Sequence, residues 1–432
     1  MNSFLEDSIA ANKTGQALGV PSLCTAHPMV LEAGVAQALE SGTGLLVEAT
    51  SNQVDQFGGY TGMMPADFRD LVYAIADRQG LARTSVVLGG DHLGPNTWRH
   101  LGPDAAMKRS GDLVRAYVAA GFTKIHLDCS MSCAGDPSPL TDDIVAQRAA
   151  TLAAVAKDTA IRERGVSDLL YVVGTEVPVP GGAQETIDAL APTSASAARA
   201  TIDCHRKVFQ DAGLHRAWDR VIGLVVQPGV EFDHAAVVDY DRDRTKELRS
   251  VLDDYPHLVF EAHSTDYQSV ERLTELVGDH WAVLKVGPGL TFALREALFA
   301  LAAIEDELVQ ADDRSNLLAV LEAQMLAEPR WWKGYYDGDA RAQRLARRYS
   351  YSDRMRYYWP YPQVQQAQSR LLANLSVVEI PLPLLSQYLP EQYSRVRGGE
   401  LAPEPTALVL DRVRDVLRTY TQACNPSLRS SL

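Results

Sequence analysis

Residues 86–96 read VVLGGDHLGPN, three aliphatic residues and two glycines leading to Asp91 and His92, then a Gly-Pro turn. The aliphatic run suits a buried strand, the Gly and Pro punctuate its end, and an acid beside a histidine puts chemistry there. Working outward, similar short apolar runs recur at 19–24, 45–50, 124–129, 169–176, 221–227, 258–263 and 282–286, with helix-period segments between them. Such alternation builds a parallel sheet from βαβ units, and eight units close a (β/α)8 TIM barrel. An open doubly wound sheet would also alternate, but the even spacing and polar strand ends favour the closed form.

The intervening helices are legible at 65–79, where Phe68, Leu71, Val72 and Ile75 share a face, and before Gly121, where Leu113, Val114, Tyr117 and Val118 do the same. A long helix follows the eighth strand over 290–308. After about residue 312 strand alternation ceases, and Arg-, Tyr- and Trp-rich segments such as EPRWWKGYYDGD (328–339) predict a helical extension packed on the barrel or a second subunit. The expected division is therefore a barrel over 1–311 and a helical C-terminal extension over 312–432.

A 432-residue chain with 46% hydrophobic residues can bury a large core. Its net charge of −14 opposes binding to nucleic acid or an anionic membrane. No run approaches the roughly 20 apolar residues of a membrane span. The start, MNSFLEDSIAANKTGQ, lacks the basic and apolar stretches of an export signal. Five scattered cysteines without metal-ligand spacing point to free thiols and a cytoplasmic location.

In a barrel of this kind the active site lies at the C-terminal strand ends. Those ends carry Glu48 and Thr50, Asp91 and His92, His126 and Asp128, Glu176, then Glu231 and His234, Glu261 and His263, and Lys285. So many ionisable groups at one mouth call for a cation or charged ligand, because an uncompensated buried charge costs several kcal/mol. His92, His234 and His263 are the expected ligands of a divalent metal, zinc first, with nickel, cobalt or manganese as alternatives. Asp91 is the expected proton shuttle, with support of a ligand as the competing role. Adjacent strand residues face opposite ways, so bringing both Asp91 and His92 to the site needs a bend, which Gly89 and Gly90 would permit. Period-two alternation puts His126, Asp128 and Ser130 on one face, looking inward. Glu176 is the candidate for orienting a ligand or water, with a salt bridge to Lys285 as its plain alternative. Glu48, Asp128 and Lys285 are candidate substrate contacts. Gly287, Gly289 and Thr291, at a helix N-terminus after strand eight, are the candidate phosphate cradle.

Taken together, CTAHP (24–28), EATSNQVDQFGGYTGM (48–63), GGDHLGPN (89–96), KIHLDCSMSCAGD (124–136), GTEVPVPGG (174–182), VVQPGVEFDH (225–234), EAHSTDYQ (261–268), LKVGPGLTFALREALFAL (284–301) and YSYSDRMRYYWP (349–360) resemble the GatZ/KbaZ-like family along nearly the whole chain. The resemblance implies a barrel of class II aldolase type. It also implies one of two roles: a non-catalytic subunit supporting a tagatose-1,6-bisphosphate aldolase catalytic chain, or a ketose 4-epimerase acting on tagatose 6-phosphate or a related ketohexose. An older kinase label finds no Walker or kinase glycine loop here. Asp91, His92, His234 and His263 follow the order of the class II aldolase metal site, but EAHSTDYQ stands where those enzymes have a Gly-Gly-Ser-Gly phosphate run. The expectation is therefore a metal-dependent epimerase interconverting tagatose and fructose configurations by retro-aldol cleavage and re-addition. The partners expected are a ketohexose or its phosphate, an aldolase catalytic chain under the subunit reading, and a second copy of the chain.

Overall fold

The computed structural model describes residues 4–175 and 190–428. Eight parallel strands form a closed barrel: β1 (Val20–Cys24), β2 (Leu45–Thr50), β3 (Val86–Leu93), β4 (Lys124–Leu127), β5 (Leu170–Gly174), β6 (Val221–Val225), β7 (Val259–Ala262) and β8 (Trp281–Val286). Each pairs with its sequence neighbours, and β1 pairs with β8 in parallel register, Ser22 opposite Lys285. The eight runs expected from sequence are these strands, with differences at their ends. β3 continues through Asp91 and His92 to Leu93, whereas β4 stops before Asp128.

Helices cover the outside because each carries one apolar stripe. The helix Pro65–Gln79 begins with proline in its first turn and ends on Gly80 in the left-handed conformation, with Phe68, Val72 and Ile75 fully buried. In the helix Pro103–Ala119 the stripe Leu113, Val114, Tyr117 and Val118 is fully buried, each large side chain contributing roughly 1.5–3 kcal/mol. The helix after β8 spans Pro288–Leu308, so the Gly-Pro-Gly sequence forms its first turn.

Inside the barrel, alternate residues of each strand form layers. At the bottom, Val20, Leu46, Val87, Val259 and Val283 pack with Leu5 and Ile9 of the N-terminal helix Phe4–Lys13, which plugs that end. One step up the same faces come Ser22, Glu48, Lys124, Glu261 and Lys285, and above them Asp91, His126 and His263.

Beyond residue 312 the described residues are helical or irregular. The helix Pro405–Cys424 lies against Pro28–Ser41, Val270–Gly278 and Pro288–Leu308, joining the last units of the barrel to the first. Tyr420 donates to the Thr265 carbonyl at 2.7 Å, and Arg412 pairs with Glu296. Barrel and C-terminal residues share one continuous apolar core. Among the described residues no helix is long and apolar enough to cross a membrane.

Candidate active site

The charged layers are fully buried and internally paired. Lys124 Nζ lies 2.7 Å from both Glu48 Oε1 and Glu261 Oε2, and Ser22 donates to Glu48 Oε1 at 2.5 Å. Above them Lys285 Nζ sits 2.5 Å from Asp91 Oδ1, 3.3 Å from Glu48 Oε2 and 3.5 Å from Glu261 Oε1. Two ammonium groups thus face three carboxylates, those of Glu48, Asp91 and Glu261, and one negative charge is left over. Burial opposes ionisation of Asp91, but His92 and Lys285 prevail and hold its carboxyl well below the usual range. Burial likewise opposes the charge on Lys285, and its carboxylate neighbours push the ammonium well above its ordinary value.

Three imidazoles stand over this network. The ring centres of His92, His126 and His263 are 5.1, 5.0 and 5.2 Å apart. One ligand atom from each of Asp91, His126, Glu261 and His263 forms a group lying mutually within 4.8 Å. His126 Nε2 is buried without a hydrogen-bond partner, while its Nδ1 meets the His92 amide and Asp91. His263 Nε2 is 3.0 Å from Glu261 Oε1, and burial lowers the His263 pKa to about 3, which keeps the ring neutral as a ligand must be. Donor set, orphaned nitrogen and surplus negative charge all suit a divalent metal.

Backbone geometry delivers Asp91 and His92 to the same site. His92 adopts the left-handed conformation at φ 50°, a strained setting for a non-glycine residue, and the β3–β4 register shifts beside it. The bend therefore lies at His92, not at the glycines before it. Gly89 answers a different need: a Cβ there would come within 2.6 Å of the Glu48 side chain. His92 Nδ1 then meets Asp128 Oδ2 at 2.8 Å and its Nε2 lies 3.6 Å from Asp91 Oδ2. Burial pulls the imidazole pKa down, but these two carboxylates raise it above its ordinary value.

A cavity of about 490 Å³ opens above the network. Asp91, His92, His263 and Lys285 line it from the barrel; Arg356, Tyr357 and Trp359 line it from the C-terminal segment. Along one side runs the turn expected to hold phosphate. Its donors are already used: Asp266 Oδ1 accepts from the Gly287 and Gly289 amides at 2.9 and 2.7 Å, and the Thr291 hydroxyl donates to Asp353 Oδ2 at 2.6 Å.

Residues 5–425 match the family described as D-tagatose-1,6-bisphosphate aldolase subunit GatZ/KbaZ-like. The chain belongs to the GatZ/KbaZ-like family. A crystal structure of a probable tagatose 6 phosphate kinase from Sinorhizobium meliloti 1021 is 49% identical, with a TM-score of 0.87, covering 94% of this chain and 100% of that one. The YdjI aldolase from Escherichia coli K12 aligns at 11% identity and a TM-score of 0.43, covering 72% of this chain and 88% of its own; a likeness that weak adds nothing to the barrel visible in the strand order. Membership of the GatZ/KbaZ-like family supports an aldolase-related role in carbohydrate metabolism, as an aldolase-type enzyme or an aldolase subunit.

In this GatZ/KbaZ-like chain Glu48, Asp91, His92, Asp128, His263 and Lys285 converge as the sequence suggested, although His92, expected as a ligand, stands outside the four-residue donor group and is held by Asp128. His234 does not join them. It lies in the loop between two short antiparallel strands, Glu231–Phe232 and Val237–Val238, with Nδ1 2.8 Å from Ser352 Oγ and its ring edge-on to Tyr336. His126 occupies the third corner. Glu176 lies outside the described residues. Alternation with Asp128 puts His126 on the inward face, the sequence signal that marks it as a site residue though not as a ligand. Glu261 carried the same signal beside His263. Lys124 shares the inward face of β4 with His126, but its task of separating two acids from other strands is visible only in three dimensions.

Proposed function

We propose that this GatZ/KbaZ-like protein is a metal-dependent ketose 4-epimerase, interconverting the tagatose and fructose configurations of a ketohexose or its phosphate. The observation carrying this reading is the buried Asp91–His126–Glu261–His263 group opening into a cavity beside Lys285. A surface that only braced a partner would gain nothing from so many desolvated charges. The family description, which names a subunit, favours a second reading in which the chain works through an aldolase catalytic chain.

The C4 hydrogen of a ketohexose is β to the C2 carbonyl and not acidic, so inversion there requires breaking the C3–C4 bond. In the proposed cycle Asp91, ionised at neutral pH, takes the O4 proton. The C3–C4 electron pair moves into an enediolate over C2 and C3, leaving C4 as an aldehyde. The aldehyde rotates within the cavity and is attacked on its other face, and Asp91 returns the proton to O4. Lys285 stands beside Asp91 and offers its positive charge to the developing oxyanion. His126, Glu261 and His263 would hold a divalent metal, zinc as the best match to this donor set, supplying Lewis-acid polarisation of the C2 carbonyl. Asp128 orients His92, whose ring lines the cavity beside Asp91.

The test follows tagatose 6-phosphate by carbon NMR with the purified chain and added divalent metals. Formation of fructose 6-phosphate, abolished by EDTA and restored by zinc, is expected. No conversion, together with stimulation of a separate aldolase chain, would favour the subunit.

A further inference from the structure

The cavity has two features that bear on which substrate it takes. The first is the self-filled turn after β8. Asp266, 2% exposed, accepts both amides that would greet a phosphate, and a Cβ at Gly289 would lie only 3.1 Å from its Oδ1, so no oxyanion fits between them. Asp353, itself paired with Arg295, takes the Thr291 hydroxyl, so this wall offers the Asp266 carboxylate and no free donor. An anion placed there would meet like charge and spent donors.

The second feature faces the same cavity from the C-terminal segment. Of the two permanent cations lining the space, Lys285 is surrounded by carboxylates, but among the described residues Arg356 has no carboxylate within ion-pairing distance. Its guanidinium is held all the same. Nη1 donates to the Ser352 and Asp353 carbonyls, and Nη2 donates to the Tyr357 hydroxyl at 3.1 Å. The group also lies 4.5 Å from the centre of the Tyr357 ring. Tyr357 in turn stacks on Trp331 at 4.9 Å and meets Tyr60 edge-on at 4.6 Å. A guanidinium fixed on an aromatic bed, with no carboxylate in close ion pair, is prepared to take an oxyanion without further ordering.

We infer that the anionic end of the substrate, a phosphate or a carboxylate on the terminal carbon, is held by Arg356 and not by the turn after β8. This rests on the reading of the cavity as the substrate site, and it narrows the substrate to an anionic ketohexose stretched between Asp91 and Arg356. It also makes the C-terminal segment part of the site.

Binding tests it, whether or not the sugar is turned over. Isothermal titration of the full chain compares fructose 6-phosphate, the matching 6-carboxylate and neutral fructose. Wild type is expected to favour an anionic sugar over the neutral one by at least about tenfold, and Arg356→Gln to reduce that preference to within roughly threefold. The preferred anion identifies a sugar phosphate or a hexuronate as the source. Thermal unfolding checks that Arg356→Gln is folded; if it is not, Arg356→Lys carries the test, with an expected loss of about three- to tenfold because it keeps the charge but not the fork. An undiminished preference in the variant that folds, or no preference in wild type, overturns the proposal. Since no catalysis is needed, failure of the epimerase reading in the NMR assay is a separate result.

Discussion

Along β7, Val259 packs into an apolar layer with Leu5 and Ile9, while Glu261, two residues on and on the same face, lies 2.7 Å from Lys124 in a largely charged one. β2 makes the same change from Leu46 to Glu48, and β8 from Val283 to Lys285. The lower layer holds the barrel by burial alone and is indifferent to which aliphatic residue fills it, provided volume is kept. The upper layer is held by mutual compensation, in which removing any member strands its partners. One end of the barrel is built for stability, and the other spends stability to keep ionised groups in a dry place.

Asp91→Asn should show the largest effect, a fall in turnover of roughly 10³-fold with the folded state retained, since it removes the proposed base from the charged end. Steady-state kinetics with far-ultraviolet circular dichroism check this, and a rate within tenfold of wild type would remove Asp91 from its assigned role. Next, Lys124→Met should destabilise by about 4 kcal/mol by leaving Glu48 and Glu261 face to face, whereas Leu5→Ala should lose about 3 kcal/mol at the apolar end with KM unaltered. Urea unfolding measures both, and the contrast sharpens in a Lys124→Met/Glu48→Gln double variant. That variant should recover part of the loss, as no second change could after Leu5→Ala.

The smallest effect concerns Glu231, beside the mouth. Burial raises its pKa to about 7, so the folded protein binds a proton there that the unfolded chain releases near pH 4.5. Stability is therefore lost as pH rises from about 4.5 to 7 and stays reduced above it. Glu231→Gln should gain on the order of 2 kcal/mol over wild type at pH 8, with the gap closing below pH 5. A gap independent of pH would place the carboxyl in water.

Much of this was legible in the sequence because it is local. Apolar runs and their punctuation marked all eight strands, strand-end position put Glu48 and Lys285 where they converge, and alternation did the same for Asp128. Pairings between loops were not legible. Strand-end position could not tell His234, drawn away to Ser352, from His126, kept on the strand. The Gly-Pro-Gly turn read as an open anion site because the residue that fills it, Asp266, comes from a different loop. The bend at His92 depends on a left-handed backbone that a histidine adopts only when its surroundings insist.

The most direct test of the account is epimerisation carried out in D2O and followed by carbon NMR. Retro-aldol cleavage never breaks the C4–H bond, so tagatose 6-phosphate should convert to fructose 6-phosphate with protium retained at C4. Deuterium at C4, or no conversion at all with zinc present, would contradict it.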